Sequence, residues 1–509
     1  MSNLFLSKFR PYAWIALAVF LLYAQTLFFN FSYLDDNVLI LNNQRFLAGN
    51  IGAAFTNNAF FSATQSFYRP ILTLSLMLDY QIGGLSPFIY HFSNVIYHAV
   101  ACCLLFAFLF KLGFRRDLSF IFSLFFAVSP VLNHAVAWIP GRNDILFAIF
   151  ALASFIFLLN FWKNKKWGYL AAHFVFLGLA FLTKESAVVL PALASIYYFL
   201  VKKGNWREMI VPAAGWIAVA GLWVFVRHLV FTQSFVFGIS DSLNYLVRGV
   251  PALMVYLGKA IFPFNLSVYP VMADSTLVFG LMVLAALAFL IFISKGNQTG
   301  WIIFGAFWFI SFLAVSFLVP TDNFLEHRAY LPLAGIIILM LGIGWIEKIN
   351  LENVYSAGIV ISVFLGLFLI SFLNSGNYSD RLSFWQSASR SSSHSGIVWN
   401  NLGAIHYLNG DFSAAEDKFK RALEANPNEP LAHNNLGLIY HQRGELGKAE
   451  AEYLAELKIN PYSGESYYNL GILYANENKI GLAVESWKKV LEINPNSQDA
   501  INALKSLAR

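Results

Sequence analysis

Eleven stretches of this chain, near residues 11–30, 90–110, 118–136, 144–162, 168–182, 186–201, 209–226, 275–293, 300–319, 330–346 and 354–374, are apolar and long enough, some barely, to cross a bilayer. Within lipid each backbone N–H and C=O has to be satisfied inside its own segment, so such stretches are expected as helices. The composition agrees. Of 509 residues 58% are hydrophobic and 12% charged, where soluble domains carry roughly 25% charged residues. A water-soluble core is excluded. So is a nucleic-acid binder, because the net charge of +6 is spread over short loops and not gathered into a patch.

The first stretch follows Lys8 and Arg10 and runs for about twenty residues, longer than the apolar core of roughly 7–15 in a secretory signal. It reads as an uncleaved span with its basic end in the cytoplasm. The cation clusters Lys111/Arg115/Arg116, Lys163/Lys165/Lys166 and Lys202/Lys203/Arg207, then Lys295 and Lys348, fall on alternate loops with that end. The opposite loops hold isolated cations such as Arg69, Arg142, Lys184 and Arg328. An odd number of spans then places the C-terminus outside, in the extracytoplasmic compartment of a cell inner membrane. Residues 243–262 are interrupted by Arg248 and Lys259 and are expected at the interface, since each charge costs about 2.5–3.5 kcal/mol at mid-membrane. Cys102 and Cys103, adjacent in an apolar run, imply packing and no disulfide or thiolate metal site.

Composition changes near residue 375, where a serine-rich stretch begins. Beyond it "WNNLGAIHYLNGDFSAAEDKFKRALEANP", "HNNLGLIYHQRGELGKAEAEYLAELKINP" and "YYNLGILYANENKIGLAVESWKKVLEINP" share one template. Gly403, Gly437 and Gly471 are 34 residues apart, as are Pro427, Pro461 and Pro495. That period, with a small residue for close helix approach and Asn-Pro to end the second helix, is the tetratricopeptide signature. The predicted fold is all-α: a multispanning bundle over 1–375, a linker over 376–395, and over 396–509 an α-solenoid of three repeats with a capping helix.

Candidate chemistry lies on the loops opposite the basic clusters. The first of these, about 31–89, is the only long one in the membrane part and opens with Asp35 and Asp36. Adjacent side chains diverge, so the two acids are expected to do different jobs. One is placed to accept a proton from an attacking hydroxyl, the other to hold a cation or fix the loop. Two close negative charges raise one pKa, which suits a general base. The pattern alone does not say which acid is which. Three short hairpins add further groups: "NHAVAWIPGRNDIL" with His134, Arg142 and Asp144; "LTKES" with Lys184 and Glu185; and "PTDNFLEHRAYLP" with Asp322, Glu326, His327, Arg328 and Tyr330. Arg142, Lys184, His327 and Arg328 are candidates for binding a phosphate through charge-assisted hydrogen bonds. Arg69, His91, His134, Asp144, Glu185, Glu326 and Tyr330 are candidates for accessory roles, with His98 seven residues from His91 on the same helical face. A divalent cation is possible at the acids, but no metal-ligand spacing identifies one. There is no P-loop, nucleophile elbow, H-E-x-x-H or dinucleotide fingerprint. With no soluble nucleotide-sugar domain either, an enzyme here would draw an activated substrate from the membrane.

The segments "YRPILTLSLMLDYQIGGLSPFIYHFSNVIYHA", "SPVLNHAVAWIPGRNDILFAIFALAS", "LTKES", "FPFNLSVYP" and "EHRAYLPLAG", followed by the repeats, resemble the transmembrane and tetratricopeptide-repeat O-mannosyltransferases and their bacterial relatives, of the GT-C class. The resemblance spans about 11–495. It implies transfer of a sugar, mannose or a similar hexose, from a polyprenyl-phosphate donor to an acceptor hydroxyl with inversion on the outer face. It also implies a base in the first outside loop, mapping here onto Asp35 and Asp36, and repeats that engage an acceptor protein. The chain departs from the family where histidine, proline and a later glutamate usually precede A-V-A-W. Here Ser129, Pro130 and His134 stand instead, which puts a second carboxylate or a metal role at that site in doubt. Three repeats, fewer than in animal members, favour a bacterial relative whose sugar need not be mannose. Two rivals are an en bloc glycan ligase, expected to carry its key residues in a large late loop, and a non-catalytic membrane scaffold, which needs only one or two spans. A transporter would set ionisable groups mid-span.

Overall fold

The computed structural model describes residues 7–58, 67–230, 239–318 and 324–507, so Asp322 lies outside the described residues. Among them the chain is helical with no strand. It divides into two compact units, Met1–Phe384 and Trp385–Arg509.

Helix Pro87–Lys111 is central to the first unit. Pro87 sits in the first turn, where an amide has no helical partner to lose, and Lys111 sits in the last turn, at the negative end of the helix dipole. Helices Arg10–Tyr23, Arg116–Ala127 and Arg142–Asn164 pack on it through buried Ile15, Val19, Leu105, Phe108, Phe155 and Leu158. Water exclusion does not drive helices together in lipid, so polar ties between them carry weight. Tyr23 Oη and Ser371 Oγ both donate to Asn133 Oδ1, at 2.9 and 2.5 Å, and Asn133 Nδ2 donates to the Ser371 carbonyl at 2.7 Å. His98 Nε2 lies 3.1 Å from the Ala127 carbonyl and so carries the ring proton; Nδ1 then accepts from Tyr330 Oη at 2.6 Å.

Six described helices are long and apolar enough to cross a membrane: Arg10–Phe28, Pro87–Lys111, Ile139–Asn164, Trp206–Val230, Thr299–Phe317 and Val354–Tyr378. A seventh is the pair Arg116–Ala127 and Pro130–Ala137, bent by 51° at a break beside Pro130. Trp167–Phe181, Glu185–Val201 and Val278–Ile293 are apolar but shorter. The protein is thus multispanning, and six or seven of the eleven expected spans meet this test of length and composition. Residues 330–346 are interrupted, with helix Tyr330–Leu341 followed by a separate turn at Gly344–Glu347. Ile239–Ile261 is one helix with Pro251 inside it and is not among the spans.

The segment between the first two long helices folds at one end of this bundle as short pieces: Asn37–Leu41, Gln44–Leu47, Ala53–Thr56 and helix Pro70–Gly83. Phe31, Leu39, Ile40, Leu72, Leu76 and Met77 form a small core there with Tyr90 and Ile139. That core anchors the loop bearing the acid pair to the start of Pro87–Lys111. Asn30 N–H donates to the Ser379 carbonyl at 2.7 Å, tying the loop's base to the chain beyond the last long helix.

The second unit contains three helix pairs, Gly396–Leu408 with Phe412–Ala425, Ala432–Gln442 with Leu446–Ile459, and Gly464–Asn476 with Ile480–Ile493, then Gln498–Leu507. The 34-residue period has a direct packing cause. A Cβ on Gly403, Gly437 or Gly471 would stand 2.6, 2.5 or 2.2 Å from the ring of Phe419, Tyr453 or Trp487. Each glycine is the slot for one aromatic ring of its pair's second helix. Ala415, Ala449 and Ala483 are fully buried beside them. Each pair covers the apolar face of the next, as stacked repeats require.

Candidate active site

The two aspartates differ in surroundings. Asp36 is buried, and its Oδ2 accepts from Ser32 N–H at 2.9 Å, Ser32 Oγ at 2.7 Å and Tyr33 N–H at 3.1 Å. Tyr33 holds a left-handed backbone (φ 61°), a conformation that costs a non-glycine residue roughly 1–2 kcal/mol and that turns its amide toward Asp36. Burial raises the Asp36 pKa, and those hydrogen bonds and the charge of Arg142 oppose the rise. The Asp35 carboxylate is half-buried and has no hydrogen-bond partner among the described residues. Burial, then the charge of Asp36, pushes its pKa up from 3.8 to about 7, with Arg69 pulling the other way. One acid therefore fixes the loop. The other is uncommitted, and burial carries its pKa to about 7.

Arg69 leads from the acids to the later hairpins. Its guanidinium meets Glu185 at 3.2 Å. The adjacent Lys184 Nζ lies 2.6 Å from Asp144 Oδ1, and Asp144 Oδ2 lies 3.9 Å from His327 Nε2. The fields of Arg69, Lys184 and Arg328 all reach His327, whose pKa falls well below its ordinary value, first through burial and then through these charges and His134. Burial likewise lowers the Lys184 pKa; Arg69 and Arg328 add to the effect and Asp144 opposes it. The later hairpins thus bring Lys184 and Arg328 near Arg69, with Asp144 and Glu185 pairing two of the three cations, and the first loop carries a carboxylate of raised pKa. Glu326 faces away from this set. It is buried, pairs with Lys259 Nζ at 2.7 Å and accepts from Ser267 N–H at 2.8 Å, while burial raises its pKa against those two partners.

Beside His327 lies an aromatic group. The His134 ring is 4.9 Å from both His327 and Trp138 and 5.5 Å from Tyr378, and Trp138 is 5.3 Å from His327. Gly141 permits the tight turn that presents this stretch, since a Cβ there would stand 2.5 Å from the His134 carbonyl. Both His134 nitrogens, His327 Nδ1, Trp138 Nε1 and Tyr378 Oη are buried without a hydrogen-bond partner. Each unpaired buried polar group costs about 1–3 kcal/mol, so these five neighbouring atoms carry unmet hydrogen-bonding demand.

Three sequence candidates stand elsewhere. Arg142 is fully buried and committed to Asp79 at 2.5 Å, with the Tyr90 carbonyl accepting from it at 2.8 Å; its charge supports Asp36 but it offers no face to a phosphate. His91 is buried edge-on against Phe29. Tyr330 is buried and bonded to His98. Asp79, Lys259, Trp138 and Tyr378 were not among the site candidates read from sequence. Lys259 carried a signal, as a charge inside an otherwise apolar helix that needs a partner. Asp79 and Tyr378 had none in local spacing. Among the described residues no three of His, Cys, Asp and Glu group closely enough to hold a metal ion.

Residues 70–231 match the family model for dolichyl-phosphate-mannose-protein mannosyltransferase, and 370–430, 400–464 and 464–497 match tetratricopeptide repeat models. The human protein O-mannosyl-transferase TMTC2 is 30% identical over 228 residues, covering 43% of this chain and 27% of that protein. Human protein O-mannosyl-transferase TMTC3 is 29% identical over 205 residues, 38% of this chain and 22% of it. Protein O-mannosyl-transferase F38B6.6 of Caenorhabditis elegans is 27% identical over 394 residues, 72% of this chain and 55% of it. The matched part of the chain spans between about a quarter and a half of the length of these relatives.

Proposed function

We propose that this chain is a membrane glycosyltransferase that moves a hexose, with mannose the first to test, from a polyprenyl-phosphate donor to a protein Ser or Thr hydroxyl, with inversion, on the extracytoplasmic face. The observation that carries the reading is the uncommitted Asp35 carboxylate, held near a pKa of 7 on a loop electrostatically joined to Arg69, Lys184, His327 and Arg328. The names of the relatives support a protein acceptor, and the repeats supply a surface of the kind that holds one. The alternation of basic loops supports the outer face.

Asp35 takes the proton of the acceptor hydroxyl as its oxygen attacks the anomeric carbon opposite the phosphate. The anomeric C–O bond to phosphate breaks, and the polyprenyl phosphate leaves with the electron pair. Lys184, Arg328 and Arg69 stabilise that oxyanion. His327, neutral before the donor arrives, donates one N–H. Asp36 is the positioning residue: it holds the loop through Ser32 and Tyr33, and its charge keeps Asp35 basic. General-base help contributes roughly 10²–10⁴-fold. Asp35→Asn should therefore lose about that much transfer from a polyprenyl-phosphate sugar in purified protein, and Asp36→Asn less. Full activity in Asp35→Asn would remove the proposed base.

A further inference from the structure

Of the cluster His134, Trp138, His327 and Tyr378, only His327 has a role in the steps above, through one ring nitrogen, and the remaining polar atoms point to a ligand of a particular kind. His134, Trp138 and Tyr378 are 0, 4 and 1% exposed, and five nitrogen and oxygen atoms of the four touching side chains lack partners. The unmet demand is mixed. Trp138 Nε1 can only donate, Tyr378 Oη can do either, and each neutral imidazole offers one donor and one acceptor nitrogen. A phosphate, which only accepts at neutral pH, would leave the bare imidazole nitrogens unmet. An aliphatic chain would meet none of them. Sugar hydroxyls donate and accept at once, and a pyranose also presents a C–H face to flat rings such as Trp138 and Tyr378. The charges of Lys184, Arg328 and Arg69 reach His327, and the Asp144 carboxylate that pairs with Lys184 lies 3.9 Å from its Nε2, so a carboxylate already marks the anion position beside this ring.

We propose that the His134–Trp138–His327–Tyr378 cluster seats the sugar ring of the donor, a neutral polyhydroxyl group whose phosphate lies toward Lys184 and Arg328. This rests on the reading of the chain as a polyprenyl-phosphate-sugar transferase. It assigns sugar recognition to side chains separate from those that hold phosphate. Sugar selectivity then resides in Trp138 and Tyr378, and phosphate affinity in the cations.

The test measures binding of two short-chain probes, farnesyl phosphate mannose and farnesyl phosphate, to the full chain in detergent. Tyr378→Phe and Trp138→Phe should each weaken the mannose probe by roughly three- to tenfold, the effect of one neutral hydrogen bond, and leave farnesyl phosphate unchanged. Lys184→Gln should weaken both. In the ligand-free protein Tyr378→Phe should melt at or above the wild-type temperature, because the hydroxyl it removes has no partner; a lower midpoint means the hydroxyl was satisfied through water and overturns the proposal. Equal weakening of both probes, or of neither, by both aromatic variants overturns the sugar seat while leaving the transferase reading standing. Failure of the wild-type protein to bind either probe overturns that reading and the sugar seat with it.

Discussion

Asp35→Asn should make the protein more stable while disabling it. A carboxyl whose pKa rises on folding from 3.8 to about 7 is a group the fold would prefer neutral. Between those values the folded chain holds a proton that the unfolded chain has released, so stability falls as pH rises through the window and the full cost is reached above about 7. A shift of about three units corresponds to about 4 kcal/mol at full weight. Asp35 is half-buried, and solvent screening reduces this to about 2 kcal/mol. An amide at this position carries no charge at any pH and removes the cost. Thermal unfolding in detergent at pH 8 should show a midpoint a few degrees above wild type, with a smaller gain at pH 5 and none below pH 3.8. The same sample should have lost transfer activity. A lower midpoint at pH 8 would mean that the carboxylate holds the loop together, as Asp36 does, and the reasoning from an uncommitted acid would fail.

Removing the cation that tempers this acid should move its titration. Arg69→Gln is expected to raise the apparent pKa on the acid side of the rate profile by up to about one unit and, because Arg69 also stabilises the leaving phosphate, to lower the plateau at high pH; the kcat/KM profile separates the two effects. Arg142→Met leaves Asp79 as a buried unpaired carboxylate and should cost about 3–5 kcal/mol, seen as lost folded yield, with Arg142→Met/Asp79→Leu recovering part of it. Gly437→Val drives a side chain into the Tyr453 ring and should destabilise the repeats by about 1–3 kcal/mol, seen as earlier proteolysis within 432–459 of the full chain.

What the chain builds locally was readable from its residues. The repeat period, the glycines and the alanines state a packing rule that is complete within one helix pair, and the structure fills it with Phe419, Tyr453 and Trp487 at the same period. The apolar helices were readable for the same reason. Pairings across distant segments were not. Arg142 looked like a free cation on a short hairpin, yet Asp79, on a helix 63 residues earlier, consumes it. Lys259 announced a missing partner but not that it would be Glu326. The division of labour between Asp35 and Asp36 was open in sequence, because it depends on the left-handed turn at Tyr33 that directs one amide to one carboxylate.

The central claim is that Asp35 is the base that activates the acceptor. Its most direct test is the pH dependence of kcat/KM for mannose transfer from a polyprenyl-phosphate donor to a Ser/Thr peptide, measured from pH 5.5 to 8.5 on the purified full chain. The account predicts a rate that rises with pH and levels off around an apparent pKa of about 7, and a residual rate in Asp35→Asn that lacks this rise. A wild-type profile that is flat over the range, or a rise near 7 that persists in Asp35→Asn, would contradict it.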